Sequence, residues 1–469
     1  MVKRTMAENE LTRRDALHRG AVTAAAFGIG ATTALRAGRA DEAIADNRIR
    51  VGVIGAGFRG KYLIGNLPET ARVKAICDCS KKQIAETLKP NEQFAPVLQE
   101  FRDIDATRCA TYQDYRRMLD REQLDAVIIA TPDHHHAQAA MLALDAGLDV
   151  YLEKPLTVTI REGRLLADKV KETGRVLQVG SQQRTMEINQ FACEFIRDGG
   201  LGKISKVELP NYPGPLSNPQ FGEEPIPKSL DWDLFIGPTP MRPYHRNLWV
   251  KDIFKIGDLL WRGWDLFSDY SGHIMTNWGA HSIDMMQYAL GKDDTGPVFV
   301  EAIEPNSVAT IYQDWLHKTP KPIDKSERRF WPVRMKYADG VEVVFTGGNH
   351  PARFFGERGV MKIRRNHFQV DPPSLITDGP GPEVAKKWAG EGYVARPHLQ
   401  NWLDCILTRQ LPNAPVEVGH RTVTICHLAN IARELARPLN WNPDIERFVN
   451  DEQADLKLER PRRKGFELP

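Results

Sequence analysis

The feature that most constrains the fold is a glycine-rich turn that directly follows a short apolar run. In RVGVIGAGFRG, residues 50–60, the spacing G-x-G-x-x-G is formed by Gly55, Gly57 and Gly60. A carboxylate, Asp78, ends the next apolar run, 18 residues after Gly60. Such glycines let the backbone approach a pyrophosphate at a helix N-terminus, and the carboxylate can accept hydrogen bonds from ribose hydroxyls. The pattern therefore predicts a dinucleotide-binding βαβ unit.

The same carboxylate favours one dinucleotide over another. Asp78 would repel a 2′-phosphate, so the sequence predicts NAD rather than NADP. Two cations that follow closely, Lys81 and Lys82, leave NADP as the alternative.

Downstream of the glycine turn, short apolar runs alternate with longer amphipathic ones. The short runs have the composition of buried strands, and the longer ones repeat apolar residues at helical spacing. The predicted strands are RVGVIG, VKAICD, DAVIIAT, DVYLEK and VLQVGSQ, and the predicted helices cover residues 59–67, 112–120, 136–146 and 160–173. This alternation predicts a doubly wound α/β domain with a parallel sheet over residues 46–182.

The pattern changes after this domain. A helix predicted at residues 187–198 precedes β-branched runs separated by Gly, Pro and Asp, which are typical of antiparallel sheets. These runs are KISKVELP, VFVEAIEP, RFWPVRMKYA, VEVVFTG and GVMKIRRNHFQV. We expect an α+β domain with an open, mainly antiparallel sheet over residues 183–440, with a helix near 417–436. A polar tail, 441–469, is expected to wrap the surface.

The first 40 residues have the order of a signal peptide. A basic start with Arg13 and Arg14 precedes sixteen uncharged residues, 20–35, and small residues up to Ala40. The uncharged run is too short to span a bilayer, and no later run is long enough. The paired arginines resemble the signal of the twin-arginine export machinery, which carries folded proteins, and predict a periplasmic or exported protein. A disordered or helical N-terminus is the alternative.

The charge balance excludes some classes of partner. Removing residues 1–40 takes away seven basic and three acidic residues and leaves 56 basic and 58 acidic ones. A chain so balanced has no electrostatic footprint for nucleic acid or an anionic membrane.

Two further motifs lie where predicted strands end. TPDHHHA, residues 131–137, follows the predicted strand DAVIIAT, and YLEKP, residues 151–155, ends the predicted strand DVYLEK, at the sheet edge where ligands bind. Consecutive histidines point in different directions and no further pair completes a metal site, so we expect no metal. We expect the histidine turn to border the nicotinamide pocket, with one histidine capping or packing there. Glu153 and Lys154 fit either a surface ion pair or an ammonium placed over the cofactor.

The motifs GAGFRG, TPDHHHA and EKP, in this order and at these intervals, resemble the Gfo/Idh/MocA family over nearly all of residues 48–440. The resemblance implies that Lys154 is the active-site lysine, that Pro155 follows it in a cis peptide, and that an open sheet covers the nicotinamide. It also implies the exported branch of that family. The candidate cofactor-binding residues are Gly55, Gly57, Phe58, Arg59, Gly60, Asp78, Thr131, Pro132, His136, Glu153, Lys154 and Gln183.

The family's second-domain motif is an Asp, three residues, a His, two residues and an Asp, on a helix that faces the cofactor. In this chain it reads NWGAHSID and supplies Asn277, His281 and Asp284, whose spacings of four and three put them on one helical face. The resemblance implies that His281 is the acid/base and that Asp284 holds substrate hydroxyls; a hydrogen-bonded core histidine is the alternative. Asn277 stands where the family motif has an aspartate, and its amide cannot hold a counter-charge. This departure from the motif argues against simple alcohol dehydrogenation.

Aromatic residues are dense in the second domain. Nine of the ten tryptophans lie between Trp232 and Trp402, and Trp261 belongs to the densest stretch. Indole faces stack on the C–H faces of sugar rings, which predicts a pocket for a sugar or glycoside, although core packing explains most individual tryptophans. The candidate substrate residues are Arg184, Tyr244, His245, Trp264, His273 and Trp278, with Gln183 also near.

Three functional hypotheses follow. The first is an exported NAD-dependent oxidoreductase of carbohydrate metabolism that recycles its NAD internally between two substrates. The second is an NAD-dependent glycoside hydrolase, in which oxidation at C3 acidifies the C2 proton for removal by His281, and hydride returns after loss of the C1 group and addition of water. The third is a non-catalytic sugar-binding protein on the same scaffold. We also expect a homo-oligomer, a dimer or tetramer.

Overall fold

The computed structural model describes residues 47–469 apart from 90–93, 218–220, 250–262, 306–310, 313–320, 323–325, 348–349 and 389–393. The predicted signal segment, 1–40, and Trp261 lie outside the described residues. Within the described ranges, no helix combines the length and the apolar content that a membrane crossing needs.

A six-stranded parallel sheet forms the first domain. Its strands are β1 (Ile49–Ile54), β2 (Ala71–Cys77), β3 (Ala110–Tyr112), β4 (Ala126–Ile129), β5 (Asp149–Leu152) and β6 (Leu177–Val179). Their spatial order is β3-β2-β1-β4-β5-β6, and every pairing is parallel. The chain therefore reverses its direction of winding between β1 and β4, and a crevice for a ligand opens at the carboxyl ends of these two strands. The predicted doubly wound sheet is confirmed.

Helices cover both faces of this sheet. They are α1 (Phe58–Gly65), α2 (Lys81–Leu88), α3 (Ala95–Ile104), α4 (Tyr115–Arg121), α5 (His136–Asp145) and α6 (Ile160–Thr173). The four predicted helices are present with shifts of a few residues at their ends, whereas α2, α3 and the short β3 were not predicted. Helix α6 has the clearest local signals, because the Thr159 hydroxyl accepts from the Glu162 amide at its start and Gly174 ends it with a φ of 62°.

A nine-stranded mixed sheet forms the second domain. The strands in chain order are β7 (Ile204–Pro210), β8 (Phe299–Ala302), β9 (Ile311–Tyr312), β10 (Lys321–Pro322), β11 (Val333–Lys336), β12 (Glu342–Thr346), β13 (Ala352–Gly356), β14 (Gly359–Arg364), β15 (His367–Asp371), β16 (Leu439–Asn442) and β17 (Arg447–Phe448). The sheet order is β15-β14-β13-β7-β12-β11-β8-β16-β17, while β9 and β10 form a separate pair. Strands β7 and β12 pair in parallel and the other neighbours pair antiparallel, which confirms the predicted sheet type.

The remaining helices pack on this sheet or return to the first domain. They are α7 (Glu187–Arg197), α8 (Trp232–Ile236), α9 (His273–Asn277), α10 (Gly279–Leu290), α11 (Pro382–Lys386), α12 (Arg396–Thr408), α13 (Val416–Leu435) and α14 (Glu452–Asp455). The core of the second domain lies between one face of the sheet and helices α7, α10 and α13. Helices α7 and α13 match the sequence predictions; α12 was not predicted.

Helix α12 belongs to the hydrophobic core of the first domain. Its Leu399, Trp402 and Leu403 are buried in the cluster that contains strand β1. The Trp402 ring lies 5.7 Å from the ring of Tyr151 on β5. A segment expected in the second domain therefore covers the first.

The C-terminal tail is more deeply integrated than a surface wrap. Strand β16 pairs with β8, so the boundary expected at residue 440 falls inside a strand. Farther on, Arg460 and Arg462 reach the buried carboxylate of Glu162 at 2.9 and 2.5 Å. The tail therefore binds the two domains together. It pairs with β8 of the second domain, and its arginines neutralise a buried charge on α6 of the first.

Candidate active site

The glycine turn has the shape that a dinucleotide requires. Gly55 has a φ of 95°, and a Cβ atom there would lie 2.5 Å from the carbonyl oxygen of Ala130. A Cβ atom at Gly60 would clash with the carbonyl oxygen of Gly55, whereas one at Gly57 would meet no atom within 4 Å. Gly55 and Gly60 thus keep β1, β4 and α1 in close contact, and Gly57 leaves open space beside the N-terminus of α1. These residues fit a pyrophosphate.

Asp78 connects the end of β2 to this turn. Its two carboxylate oxygens accept hydrogen bonds from the backbone amides of Ala56 and Ser80, both at 2.8 Å. Burial raises the pKa of Asp78, and the two amides and the Lys61 ammonium offset part of that effect. The carboxylate lies beside the glycine turn, as ribose recognition requires. Both Lys81 and Lys82 are exposed on α2.

Arg59 joins the start of α1 to the ends of β5 and β6. Its Nε donates to Glu153 at 2.6 Å, and its Nη2 donates to Gln182 at 3.3 Å. Glu153 is buried and bonded to Arg59, so the structure corrects the alternative of a surface ion pair with Lys154. Gln182 was not predicted, whereas its neighbour Gln183 is buried in the same turn.

Phe58 contributes packing at the start of α1. Its ring lies 4.9 Å from the ring of Tyr62 and 5.6 Å from that of Phe94. This side chain therefore supports the helix that carries the glycine turn.

The histidine turn lies against backbone carbonyl groups. The ring nitrogens of His136 lie 2.7 Å from the carbonyl oxygen of Pro155 and 3.1 Å from that of Thr131. Nε2 of His134 and Nε2 of His135 lie 2.8 and 3.0 Å from the carbonyl oxygen of Phe235. All three rings pack as structural groups. Pro132 precedes the short 3-10 turn that carries the first two rings.

Within the described ranges, no three or more His, Cys, Asp or Glu side chains are grouped so as to hold a metal ion.

Lys154 and Asn277 meet across the two domains. The Lys154–Pro155 peptide is cis, as the resemblance implied. The Lys154 Nζ donates to the Asn277 Oδ1 at 2.7 Å and lies 3.4 Å from the Asn277 carbonyl oxygen. Burial lowers the pKa of Lys154, while the charges of Glu153 and Asp133 raise it. The lysine therefore sits where the two domains close over the carboxyl ends of the strands.

His281 lies on the helix that follows Asn277. The predicted single helix is in fact two, because α9 ends at Asn277 and α10 begins after Trp278. The His281 side chain is 7% exposed. Burial and the positive charges of Arg365 and Lys154 hold its pKa well below the usual value. The imidazole is therefore neutral at pH 7 and can accept a proton.

A hairpin that was not recognised in the sequence supplies Arg365. The run GVMKIRRNHFQV was predicted as one strand, but it folds as β14 and β15 around a turn in which Asn366 has a φ of 56°. Asparagine tolerates this left-handed conformation, which is the sequence signal for the turn. The Arg365 guanidinium lies 5.2 Å from the ring centre of Trp278, whose ring in turn lies 6.2 Å from that of His281.

Two candidate substrate residues are instead engaged with each other. Arg184 Nε lies 2.7 Å from Asp284 Oδ1, and Arg184 Nη2 lies 2.6 Å from Asp293. The exposed fractions of the Arg184 and Asp284 side chains are only 4% and 1%. Burial raises the pKa of Asp284 to about 6 against the opposing effect of Arg184. A buried ion pair therefore braces α10 against the turn before α7, and hydroxyl binding by these two residues stays a prediction.

Three other candidates belong to a separate aromatic cluster. Tyr244 is buried against Trp232, with ring centres 5.0 Å apart, and Trp264 packs partly buried on the same cluster. The His245 ring stacks 4.7 Å from that of Phe221. In the described part of the chain, no recorded contact joins Tyr244, His245 or Trp264 to Lys154. The core-packing alternative accounts for Tyr244 and Trp264, because these rings cover one another.

The structure reveals a group that the sequence prediction missed. Asp133, the third residue of TPDHHHA, and Asp265, from the aromatic stretch, approach the same hydroxyl. The Ser271 Oγ lies 2.7 Å from Asp133 Oδ2 and 3.2 Å from Asp265 Oδ1. His273, predicted to line the substrate pocket, is buried with its Nδ1 3.3 Å from Asp265 Oδ2. We call Asp133 and Asp265 the buried carboxyl pair.

Comparison with protein families covers most of the chain. Residues 49–181 match the model for an oxidoreductase family, NAD-binding Rossmann fold, and residues 217–468 match the model for an oxidoreductase family, C-terminal alpha/beta domain. Both are Gfo/Idh/MocA models.

Individual relatives match over shorter stretches. The scyllo-inositol 2-dehydrogenase (NAD(+)) of Bacillus subtilis is 31% identical over 160 residues, which are 34% of this chain and 43% of that protein. Levoglucosan dehydrogenase of Pseudarthrobacter phenanthrenivorans is 32% identical over 160 residues, 33% of this chain and 39% of that protein. Glycosyl hydrolase family 109 protein 1 of Shewanella sp. strain ANA-3 is 27% identical over 158 residues, 33% of each chain. The chain thus spans well under half the length of these curated relatives.

Solved structures share the fold. A levoglucosan dehydrogenase in complex with NADH and L-sorbose superposes with a TM-score of 0.57 at 18% identity, over 84% of this chain and 99% of that one. The WlbA dehydrogenase of Bordetella pertussis, in complex with NADH and UDP-GlcNAcA, gives a TM-score of 0.55 at 16% identity, over 85% and 99%.

Proposed function

Because this chain belongs to the Gfo/Idh/MocA oxidoreductase family, we propose that it is an exported, NAD-dependent oxidoreductase that acts on a sugar or glycoside. The observation that carries the proposal is the contact between Lys154 and Asn277 at the carboxyl edge of an NAD-binding sheet, near enough to His281 for the lysine charge to lower the pKa of that imidazole. A partly buried ammonium and a neutral imidazole are the donor and the acceptor that oxidation of an alcohol requires. A predicted dimer or tetramer and a preference for NAD over NADP are part of the proposal.

One set of residues would bind the cofactor, and another would act on the substrate. The glycine turn and Asp78 would hold the pyrophosphate and ribose of NAD, which when bound accepts a hydride from a carbinol carbon. Lys154 donates a hydrogen bond to the substrate hydroxyl oxygen and stabilises the negative charge that develops there. His281, held neutral, accepts a proton from substrate.

A second candidate is redox-neutral glycoside hydrolysis. Removal of the C2 proton next to a C3 ketone needs an unprotonated base, and His281 is unprotonated at neutral pH. The similarity to a glycosyl hydrolase family 109 protein supports the same candidate. Such a cycle would need no second substrate, because the hydride returns to the sugar that lost it.

One experiment separates the two candidates. The purified protein is incubated in heavy water with aryl and natural glycosides, without added NAD, and the sugars are analysed by NMR and mass spectrometry. Hydrolysis with deuterium at C2 of the released sugar supports the redox-neutral cycle. A ketone or lactone that forms only with an added acceptor supports the two-substrate oxidoreductase.

Two variants serve as controls in this experiment. We expect Lys154→Ala and His281→Ala each to lower turnover by about 10²- to 10⁴-fold, as for general acid/base groups. Both variants should retain NAD, because the glycine turn and Asp78, which would hold its pyrophosphate and ribose, are unchanged. Near-normal turnover in the His281→Ala protein would contradict its assigned role.

Export is also a proposal, and it rests on the sequence. Arg13 and Arg14 before a short uncharged run support the twin-arginine route, which would carry the protein out with its cofactor in place. Outside the cytoplasm no nucleotide pool replaces lost NAD, so tight binding and internal recycling would be required.

A further inference from the structure

Lys154 is a partly buried cation, and among the described residues its ammonium is hydrogen-bonded to no carboxylate. The ammonium donates to the side-chain oxygen of Asn277 and lies 3.4 Å from the backbone oxygen of the same residue, and both oxygens are neutral. The carboxylate of Glu153, its chain neighbour, is bonded to the Arg59 guanidinium at 2.6 Å. A cation that is partly withdrawn from water is costly without compensation, so a further negative charge close by stabilises it.

A single residue, Asn277, connects Lys154 to the buried carboxyl pair. The Asn277 Nδ2 lies 3.4 Å from Asp265 Oδ1, while its Oδ1 accepts from Lys154. Ser271 stands between the two carboxyl groups, and its single hydroxyl hydrogen can serve only one of them at a time. Asn277 thus connects the ammonium to the pair through one polar side chain.

Two adjacent carboxylates in a buried site share a proton. Burial and the negative charge of Asp265 raise the pKa of Asp133 to about 8. At neutral pH the pair therefore carries one proton and one negative charge. That single charge equals the charge of Lys154.

The groups that face the pair leave this balance unchanged. Lys154 and His273 approach it, and the Arg59–Glu153 ion pair behind Lys154 is neutral as a whole. The three histidines after Asp133 are neutral because burial lowers the pKa of each of them.

We propose that Asp133 and Asp265, as one carboxyl pair with one shared proton, supply through Asn277 the negative charge that keeps Lys154 protonated and oriented. Both are positioning residues, because they act on Lys154 rather than on substrate. The inference rests on the proposed function, in that Lys154 is the active-site ammonium. Its charge state can nevertheless be measured without turnover.

A shared charge makes a distinctive prediction about single and double variants. In Asp133→Asn or Asp265→Asn, the remaining carboxyl group has no like-charged neighbour. Burial still raises the pKa of Asp133, but loss of the Asp265 charge lowers it and Lys154 favours the charged form, so we expect each single variant to keep one negative charge. The double variant loses that charge. Adding Asn277→Asp to the double variant restores one carboxylate, now in contact with the lysine.

The experiment measures the reactivity of the Lys154 amine in the full-length purified protein. Each variant is treated with an acylating reagent over a series of pH values, and modification of the peptide that contains Lys154 is quantified by mass spectrometry. Only the neutral amine reacts, so the midpoint of the pH curve reports protonation. The matched control is Asp149→Asn, which removes a buried carboxylate bonded to Arg409 at the opposite end of β5.

We expect the two single variants and the control to keep the wild-type midpoint within a few tenths of a pH unit. The double variant should lower it by about 1 pH unit or more, and the added Asn277→Asp should raise it again. An unshifted double variant overturns the proposal. If the double variant does not fold, the single variants decide, because a fall of about 1 pH unit in either of them contradicts a shared charge.

The labelling experiment tests the role of the carboxyl pair independently of the proposed function. Absence of turnover with every glycoside would count against that function and leave the labelling midpoints intact. An unshifted double variant in an active enzyme would count against the carboxyl pair alone.

Discussion

A single residue, Asp133, makes the stability of the whole protein depend on pH. Its pKa is raised from 3.8 to about 8 in the folded protein, so the folded state binds this proton more tightly than the unfolded state does. The stabilisation is complete at low pH and is lost as the pH rises through about 8. We expect the melting temperature to fall between about pH 4 and about pH 8 and the fall to be smaller in Asp133→Asn. Calorimetric scans across this pH range measure the melting temperature. The control variant Asp149→Asn should show the same fall in melting temperature as the wild-type protein.

Residue-scale predictions from sequence succeeded where a motif fixes its own conformation. Gly55, Gly60 and Lys154 lie where their motifs indicated, because the turn and the strand end are built from adjacent residues. The carboxyl pair could not be predicted from the sequence, because Ser271 and Asp133, which form a hydrogen bond, are 138 residues apart. The ion pair of Arg184 and Asp284 could not be predicted for the same reason, because the two residues are 100 positions apart in the sequence.

At the scale of elements, α12 shows how a helix can escape prediction. The apolar residues at 399, 402, 403 and 406 recur at helical spacing, but no helix was predicted there. Trp402 is fully buried against β5. We expect Trp402→Ala to lower the free energy of unfolding by about 3–5 kcal/mol, because it leaves a large cavity. Urea unfolding followed by circular dichroism measures the loss. The control, Leu407→Ala on the same helix, alters a side chain that is 70% exposed and should cost less than about 0.5 kcal/mol.

Elements with regular periodicity were predicted well, and those defined by a turn were not. Helix α13 spans Val416–Leu435, close to its predicted range. The hairpin of β14 and β15 was read as one strand because both halves are apolar at alternate positions and only Asn366 marks the turn. That error concealed Arg365, a cation beside His281.

At the scale of the whole molecule, the C-terminal tail holds the two domains together. Arg460 binds Glu162 and also donates to the carbonyl oxygens of Asp269 and His134, so one side chain ties both domains to the tail. A protein interlocked in this way suits a route that carries folded proteins, which is the route we propose.

The proposed route can be tested on the whole protein. We expect Arg13→Lys/Arg14→Lys to retain the protein in the cytoplasm, while Arg36→Lys/Arg39→Lys, near the expected cleavage site, should leave export unchanged. Cell fractionation and immunoblotting measure the distribution. Equal distribution of the two double variants would contradict twin-arginine export.

The return of α12 to the first domain also constrains how the protein is made. Tyr151 leaves the ribosome about 250 residues before Trp402, and at roughly 5–20 residues per second this delay lasts about 12–50 s. During that time one face of the parallel sheet, around β1 and β5, lacks the helix that covers it. A nascent chain with so much apolar surface in water is a substrate for chaperones until the last quarter of the sequence has been translated.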